Sequence, residues 1–183
     1  MIDRVGKFLQ NWRNREVLPH IQGSLLEVGC GTNQLCAAYR DKFPQMYCMG
    51  VDVYPWPGVD LVIENSGSLP FENETFATIT CIAALNHIPE RELFLREVLR
   101  VLQLDGQFIM TMIPPGISRV WHCIRSPWDP DQTERGMEED EVYGFSNTAI
   151  QQMLEACCLH IVEKRSFMMG VNTLFKAVKK KDL

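Results

Sequence analysis

The chain contains no Cys-x-x-Cys pair, no clustered histidines and no apolar run near the ~20 residues that would span a bilayer. Each absence removes a class of protein. The seven cysteines are scattered, and Cys30, Cys36, Cys48, Cys81 and Cys123 stand among apolar or small residues. That pattern fits reduced, mostly buried thiols rather than a disulfide framework. His20, His87, His122 and His160 have no ligand spacing, so no metal is expected. Basic charge is in deficit: the net charge is −5 and the pI about 5.4. A phosphate-binding surface shows as a basic face, so no nucleic-acid partner is expected. The N-terminal stretch lacks the continuous apolar core of a secretory signal, and the closing KKDL differs from a KDEL retention signal. The expected location is the cytoplasm, without membrane insertion.

What remains is an ordinary globular composition, 183 residues with 46% hydrophobic and 22% charged side chains. One domain over 1–183 is expected. Residues 1–22 carry an N-terminal helix, with Val5, Phe8, Leu9 and Trp12 at helical spacing among Arg4, Lys7, Arg13 and Arg15. It either packs on the domain or makes a basic membrane contact. Leu25–Val28 reads as a buried strand, Asn33–Lys42 as a helix, and Tyr47–Val53, Asp60–Glu64 and Ala77–Ile82 as further strands. Pro89–Leu102 is the clearest helix, with Phe94, Leu95, Val98, Leu99, Val101 and Leu102 as its apolar stripe and Glu92 spaced to pair with Arg96. LDGQ then predicts a turn, and Phe108–Ile113 a strand. Residues 114–145 form a proline-rich, acidic insert with Trp121, Trp128 and Tyr143 and no steady period. Ser146 is placed to cap a helix burying Ile150, Met153, Leu154 and Cys157. His160–Phe167 and Thr173–Val178 close the chain as strands.

Strands alternating with helices predict an α/β fold: a doubly wound, mostly parallel seven-stranded sheet, Rossmann-like, with an antiparallel edge strand. Ligands of such sheets sit beyond the carboxyl ends of the strands. LLEVGCGTNQL, Leu25 to Leu35, should form the first of those ends. Gly29 and Gly31 let the chain turn sharply and a ligand approach the main chain. A dinucleotide fingerprint would place a third glycine at position 34, where this chain has Gln34. Glu27, two residues before the first glycine, suits a cation. Asp52, at the end of the second strand, is placed to accept the hydroxyls of a ribose. The residues together describe a ribonucleoside bearing positive charge in place of phosphate.

LLEVGCGTNQL, GVDV, LPFENETFATITCIAALNHIPE and REVLRVLQLDGQFIMTMIP occur in this order. With them the chain resembles the class I S-adenosylmethionine-dependent methyltransferases, in particular a small-molecule branch with an LPF…H pattern, from about Leu25 to Val178. The resemblance implies S-adenosyl-L-methionine as cofactor. It sets Glu27, Gly29, Cys30 and Gly31 at the methionine part, Asp52 at the ribose and Val53 beside the adenine. Asn65 and Ser66 match the segment that reads the adenine edge, and Ala83 and Ala84 line the cofactor near its sulfonium. Four positions depart from the family: Asn33, Asn65, Asp105 and Cys158 stand where Gly, Asp, Gly and Gly are usual. Asn is the best non-glycine residue if the turn at 33 needs a positive φ.

The sulfonium activates the methyl by itself, so such a protein chiefly aligns a nucleophile and excludes water. His87, opening the helix after the fourth strand, is the first candidate base, with His122 and Tyr143 from the insert behind it. The plainer reading of His87 is a helix-start or wall residue, and of His122 a surface-loop histidine. The insert is either a lid or substrate wall, aromatic enough for a largely apolar acceptor, or an acidic loop. Asn-Pro-Pro-Tyr and Pro-Cys signatures of nucleic-acid base methylation are absent. The expected function is methyl transfer to a small molecule. A non-catalytic cofactor-binding or partner-regulating protein is the alternative, and a nicotinamide oxidoreductase a third reading that Gln34 opposes.

Overall fold

The computed structural model describes residues 4–116 and 144–179. Seven strands form one sheet in the order β3-β2-β1-β4-β5-β7-β6. β1 (Leu25–Val28), β2 (Cys48–Asp52), β3 (Leu61–Val62), β4 (Phe76–Ile82) and β5 (Leu102–Met112) run parallel to one another. β6 (Leu159–Phe167) and β7 (Asn172–Lys179) form an antiparallel hairpin, and β7 joins it antiparallel to β5. The strand order reverses between β1 and β4, which sets the ligand crevice there.

α1 (Arg4–Val17) and α2 (Gln34–Lys42) cover one face, over a cluster containing Val17, Leu25, Cys36, Tyr39, Ile109 and Leu174. α3 (Arg91–Val101) and α4 (Asn147–Ala156) cover the other, over Leu26, Ile79, Phe94, Val98, Phe108 and Leu154. All four residues of β1 are buried, as a central strand covered on both faces requires. Ser146 caps α4, its hydroxyl accepting from Ala149 N at 3.1 Å. Glu92 and Arg96 pair at 2.6 Å on the exposed side of α3.

Two expectations need correction. The stripe on α1 is set by Leu9, Trp12 and Val17, and Phe8 is 60% exposed, edge-on to Trp12. LDGQ makes no free turn: it lies inside β5, where Phe76 pairs with Leu102 but Thr78 pairs with Gln107. Residues 103–105 are exposed and bulge out of the ladder. A side chain at Gly106 would press on the Leu102 side chain at 2.8 Å and the Ala77 carbonyl at 3.0 Å, so the bulge closes only on glycine. His122 and Tyr143, with residues 117–143 of the insert, lie outside the described residues.

The turn from β1 to α2 is fastened to β2 through Asn33. Its backbone is left-handed, φ 57° and ψ 32°, as a residue in place of glycine must be here. Its side chain then does what a glycine could not: Nδ2 donates to Gly58 O at 2.8 Å and to Asp60 Oδ2 at 2.9 Å. The same Asp60 oxygen accepts from Gly50 N at 2.7 Å and from Arg40. Burial opposes the charge on Asp60, but these donors hold its carboxyl below the usual range. A Cβ on Gly50 would sit 2.0 Å from Asn33 Oδ1. Gly50→Ala is therefore expected to destabilise the fold by about 1–3 kcal/mol through overpacking. In an Asn33→Gly background the same change should cost less than half as much in denaturant melts; additive effects would contradict this coupling.

Candidate functional site

The carboxyl ends of β1, β2 and β4 meet at the glycine turn. Gly29 N and Cys30 N donate to Val51 O at 2.9 and 3.1 Å, and Gly31 N donates to Asp52 Oδ2 at 2.9 Å. Both glycines are left-handed, with φ 72° at Gly29 and 52° at Gly31. They serve different ends. A Cβ on Gly29 would strike the Ala84 Cβ at 2.6 Å, so this glycine lets β1 and the end of β4 close together. A Cβ on Gly31 would meet nothing within 4 Å, which leaves open space against bare main chain.

Asp52 lies on the far side of that space, 7% exposed. Its Oδ2 accepts from Gly31 N and its Oδ1 from Tyr54 N at 3.0 Å. A carboxylate offers about four lone-pair sites, so after two backbone bonds it can still accept from a diol. Val53 next to it is 42% exposed, an apolar surface suited to one face of a planar ring.

Glu27 is the unusual group. It stands mid-sheet on the α2 face, 4% exposed, and its Oε2 has no hydrogen-bond partner. Burial raises its carboxyl from the ordinary 4.5 to about 8, against support from the Cys36 thiol and backbone N–H in the first turn of α2; Cys48 and Asp52 add to the rise. A buried acid with one idle oxygen beside an open glycine cradle has the chemistry to receive a cation. The residues thus fit the ammonium, ribose and adenine of the cofactor that the resemblance implies. Cys30 and Cys81 beside it are thiols pushed upward by burial and by Glu27, Cys81 to about 12.

The remaining positions are distributed around this centre. Ala83 is left-handed, φ 52°, and its N–H donates to Thr111 O at 3.2 Å. Ala84 precedes a short 3-10 turn, Leu85–His87, whose His87 N–H returns to Ala84 O at 2.9 Å. His87 is half-buried at the carboxyl end of β4. Asn65 is exposed and Ser66 half-buried in the turn after β3. That turn lies beside α3, since a Cβ at Gly67 would touch Asn65 Oδ1 at 3.4 Å and Leu93 at 3.2 Å. Asp60 is the residue the sequence reading missed as part of the support. Its signal was the β3 start opposite Gly50, which register alone reveals. A separate cleft of about 460 Å³ opens between α3 and α4, lined by Arg91, Leu95, Met153 and Cys157, and shares no residue with this site.

Because the folded protein holds Glu27 protonated up to about pH 8 while the unfolded chain ionises near 4.5, its contribution to stability is lost as pH rises across that window. Glu27→Gln should therefore melt higher than the parent at pH 8 without ligand, with the gap shrinking toward pH 4.5. Calorimetry in buffers of different ionisation enthalpy should show net proton release when S-adenosylhomocysteine binds the parent near pH 7. No release, or a Glu27→Gln variant that binds as tightly, would count against an ammonium at this carboxyl.

Residues 26–110 match the family described as "Methyltransferase domain". The chain is 24% identical over 132 residues to a demethylmenaquinone methyltransferase of Deinococcus radiodurans, covering 63% of this chain and 54% of the relative. It is 37% identical over 104 residues to a phthiotriol/phenolphthiotriol dimycocerosates methyltransferase of Mycobacterium ulcerans, covering 50% and 38%. The chain thus spans about half or less of these relatives' length. Among solved structures it resembles a Burkholderia thailandensis 1,6-didemethyltoxoflavin-N1-methyltransferase with bound 1,6-didemethyltoxoflavin and S-adenosylhomocysteine, at TM-score 0.66, 14% identity and coverage of 92% and 77%. Over residues 26–110 the chain is thus similar to the methyltransferase-domain family, and the motif order and the strand order of the sheet agree with that likeness.

Proposed function

We propose that this protein binds S-adenosylmethionine across the ends of β1 and β2 and transfers its methyl group to a small, largely apolar acceptor. The observation that carries the reading is the idle, buried oxygen of Glu27 beside the open space at Gly31. A cation would match that carboxyl most strongly, drawing it into its ionised form. The cofactor would supply an electrophilic methyl on a sulfonium. The chain's own part is to hold the ammonium at Glu27 and the ribose at Asp52, and to keep water from the reacting end.

The acceptor is inferred to be a metabolite rather than a macromolecule because the relatives named above are methyltransferases of demethylmenaquinone, of phthiotriol/phenolphthiotriol dimycocerosates and of 1,6-didemethyltoxoflavin. Residues 114–145 leave the carboxyl end of β5 and return at Ser146 to start α4; we assign them to the acceptor wall, with His122 and Tyr143 on it. His87 is the candidate general base where the acceptor atom needs deprotonation: among the described histidines it alone follows a strand's carboxyl end, while His20 precedes β1 and His160 begins β6. Among the described residues no helix is long and apolar enough to cross a membrane.

Two measurements test this reading. Asp52→Asn should weaken S-adenosylhomocysteine binding by roughly tenfold to a hundredfold, the range for a hydrogen bond to a charged group. Incubation with methyl-labelled cofactor and a metabolite extract should then yield a labelled, organic-extractable product, with His87→Ala slowing turnover more than it weakens binding. Absent cofactor binding would remove the reading altogether. Binding without transfer across broad extracts would leave the non-catalytic alternative.

A further inference from the structure

α1 turns one side to the sheet and leaves another to solvent. Lys7, Phe8, Asn11 and Arg15 are all exposed, and at 3.6 residues per turn they fall on one face of the helix. Phe8 is 60% exposed, although its ring lies edge-on to Trp12 at 5.7 Å. That face carries two cations and no acid, in a protein of net charge −5. Glu16, the one acid of α1, is engaged with Arg165 of β6 at 2.8 Å.

A second exposed apolar side chain stands level with Phe8. Glu16 pairs with Arg165, and His20, in the 3-10 turn after α1, meets Glu163 at 3.6 Å. Helix and strand therefore run antiparallel, four helical residues, about 6 Å, matching two strand residues, about 6–7 Å. The same step taken backwards sets Trp12 level with Phe167 and Phe8 level with Met169. Trp12 packs on the cluster that contains Phe167 and Met168, as this alignment requires. Met169 is 97% exposed, at the tip of the β6–β7 hairpin. There Met168, Met169 and Gly170 are left-handed, at φ 51°, 54° and 85°. Two successive methionines in that region are strained, in a turn that favours glycine or asparagine. The turn buries Met168 and drives Met169 outward, and residues 166–173 carry no charge. β5 and β6 are both antiparallel to β7, so this tip lies at the sheet's carboxyl edge, the edge of the cofactor seat.

We infer that the outer face of α1 and the tip of the β6–β7 hairpin form a docking surface for an anionic lipid bilayer. Phe8 and Met169 enter the headgroup region, while Lys7 and Arg15 lie against acidic headgroups. The charge of the face is complementary to such a membrane, and two projecting apolar side chains suit a shallow interfacial contact. Docking turns the sheet's carboxyl edge toward the lipid. On the methyltransferase reading, on which this role but not the surface itself rests, an apolar acceptor then passes from the bilayer to the site without crossing water.

Co-sedimentation of the full chain with lipid vesicles tests the surface. Vesicles of phosphatidylglycerol and phosphatidylcholine in equal parts should bind it at least about tenfold more tightly than phosphatidylcholine alone, less so as salt rises. Phe8→Ser and Met169→Gly should each weaken that binding at least about threefold, and Lys7→Glu with Arg15→Glu at least about tenfold. These variants should melt with the parent and bind S-adenosylhomocysteine equally, because the altered side chains are exposed; Met169→Gly also relieves a left-handed position. No binding to anionic vesicles, binding indifferent to headgroup charge, or a Phe8→Ser, Met169→Gly double variant that binds like the parent would overturn the surface. Dimers that Met169→Gly dissolves, in a protein that ignores vesicles, would overturn it in favour of a second copy. A parent that docks on vesicles but does not bind S-adenosylhomocysteine would keep the surface and remove the methyltransferase reading.

Discussion

The site depends on one arrangement, the anchoring of a left-handed backbone turn onto the neighbouring strand. Three consecutive amides, at Gly29, Cys30 and Gly31, give their hydrogens to Val51 O and to the Asp52 carboxylate. That tie fixes where the free main chain at Gly31 lies, how close Ala84 can come, and which oxygens of Asp52 remain for a ligand. Asn33 then locks the start of α2 against the same strand through Asp60 and Gly58. The Asp52 carboxylate that would take a ligand also holds this backbone, so the same oxygens serve the fold and the proposed site.

Glu27 illustrates the tension this creates. A carboxyl buried mid-sheet with one idle oxygen destabilises the unliganded fold as pH rises, and an apolar or amide side chain there would remove that penalty. A cation beside it, as proposed, would offset that penalty.

Much of this was legible in the sequence, for identifiable reasons. Apolar runs bounded by turn residues located β1, β2 and β4, and a 3.6-residue stripe with its Glu92–Arg96 pair located α3. Asn33 and Cys158 stand where glycines are usual, and both are left-handed, φ 57° and 58°. Asp105 failed as a turn residue because β5 runs through it: a bulge looks like a turn in sequence, and only the β4 register separates the two. Phe8 was misplaced because a helix's buried face depends on what it packs against, which periodicity alone does not fix. The Asp60 node arises from cross-strand register between distant segments and has no local signature.

The two rims of the sheet differ in a way that bears on how the protein survives at high concentration. An outermost strand offers unsatisfied amides and carbonyls to any passing chain. On one rim β3 is only two residues long, so although Leu61 and Val62 are 37% and 50% exposed, it offers too little backbone for a stranger to zip onto. On the other rim β6 is nine residues long, and there Glu163, Lys164 and Arg165 interrupt its middle while Arg165 is tethered to Glu16 of α1. Brevity guards one margin and charge the other, so intermolecular sheet growth is discouraged at both.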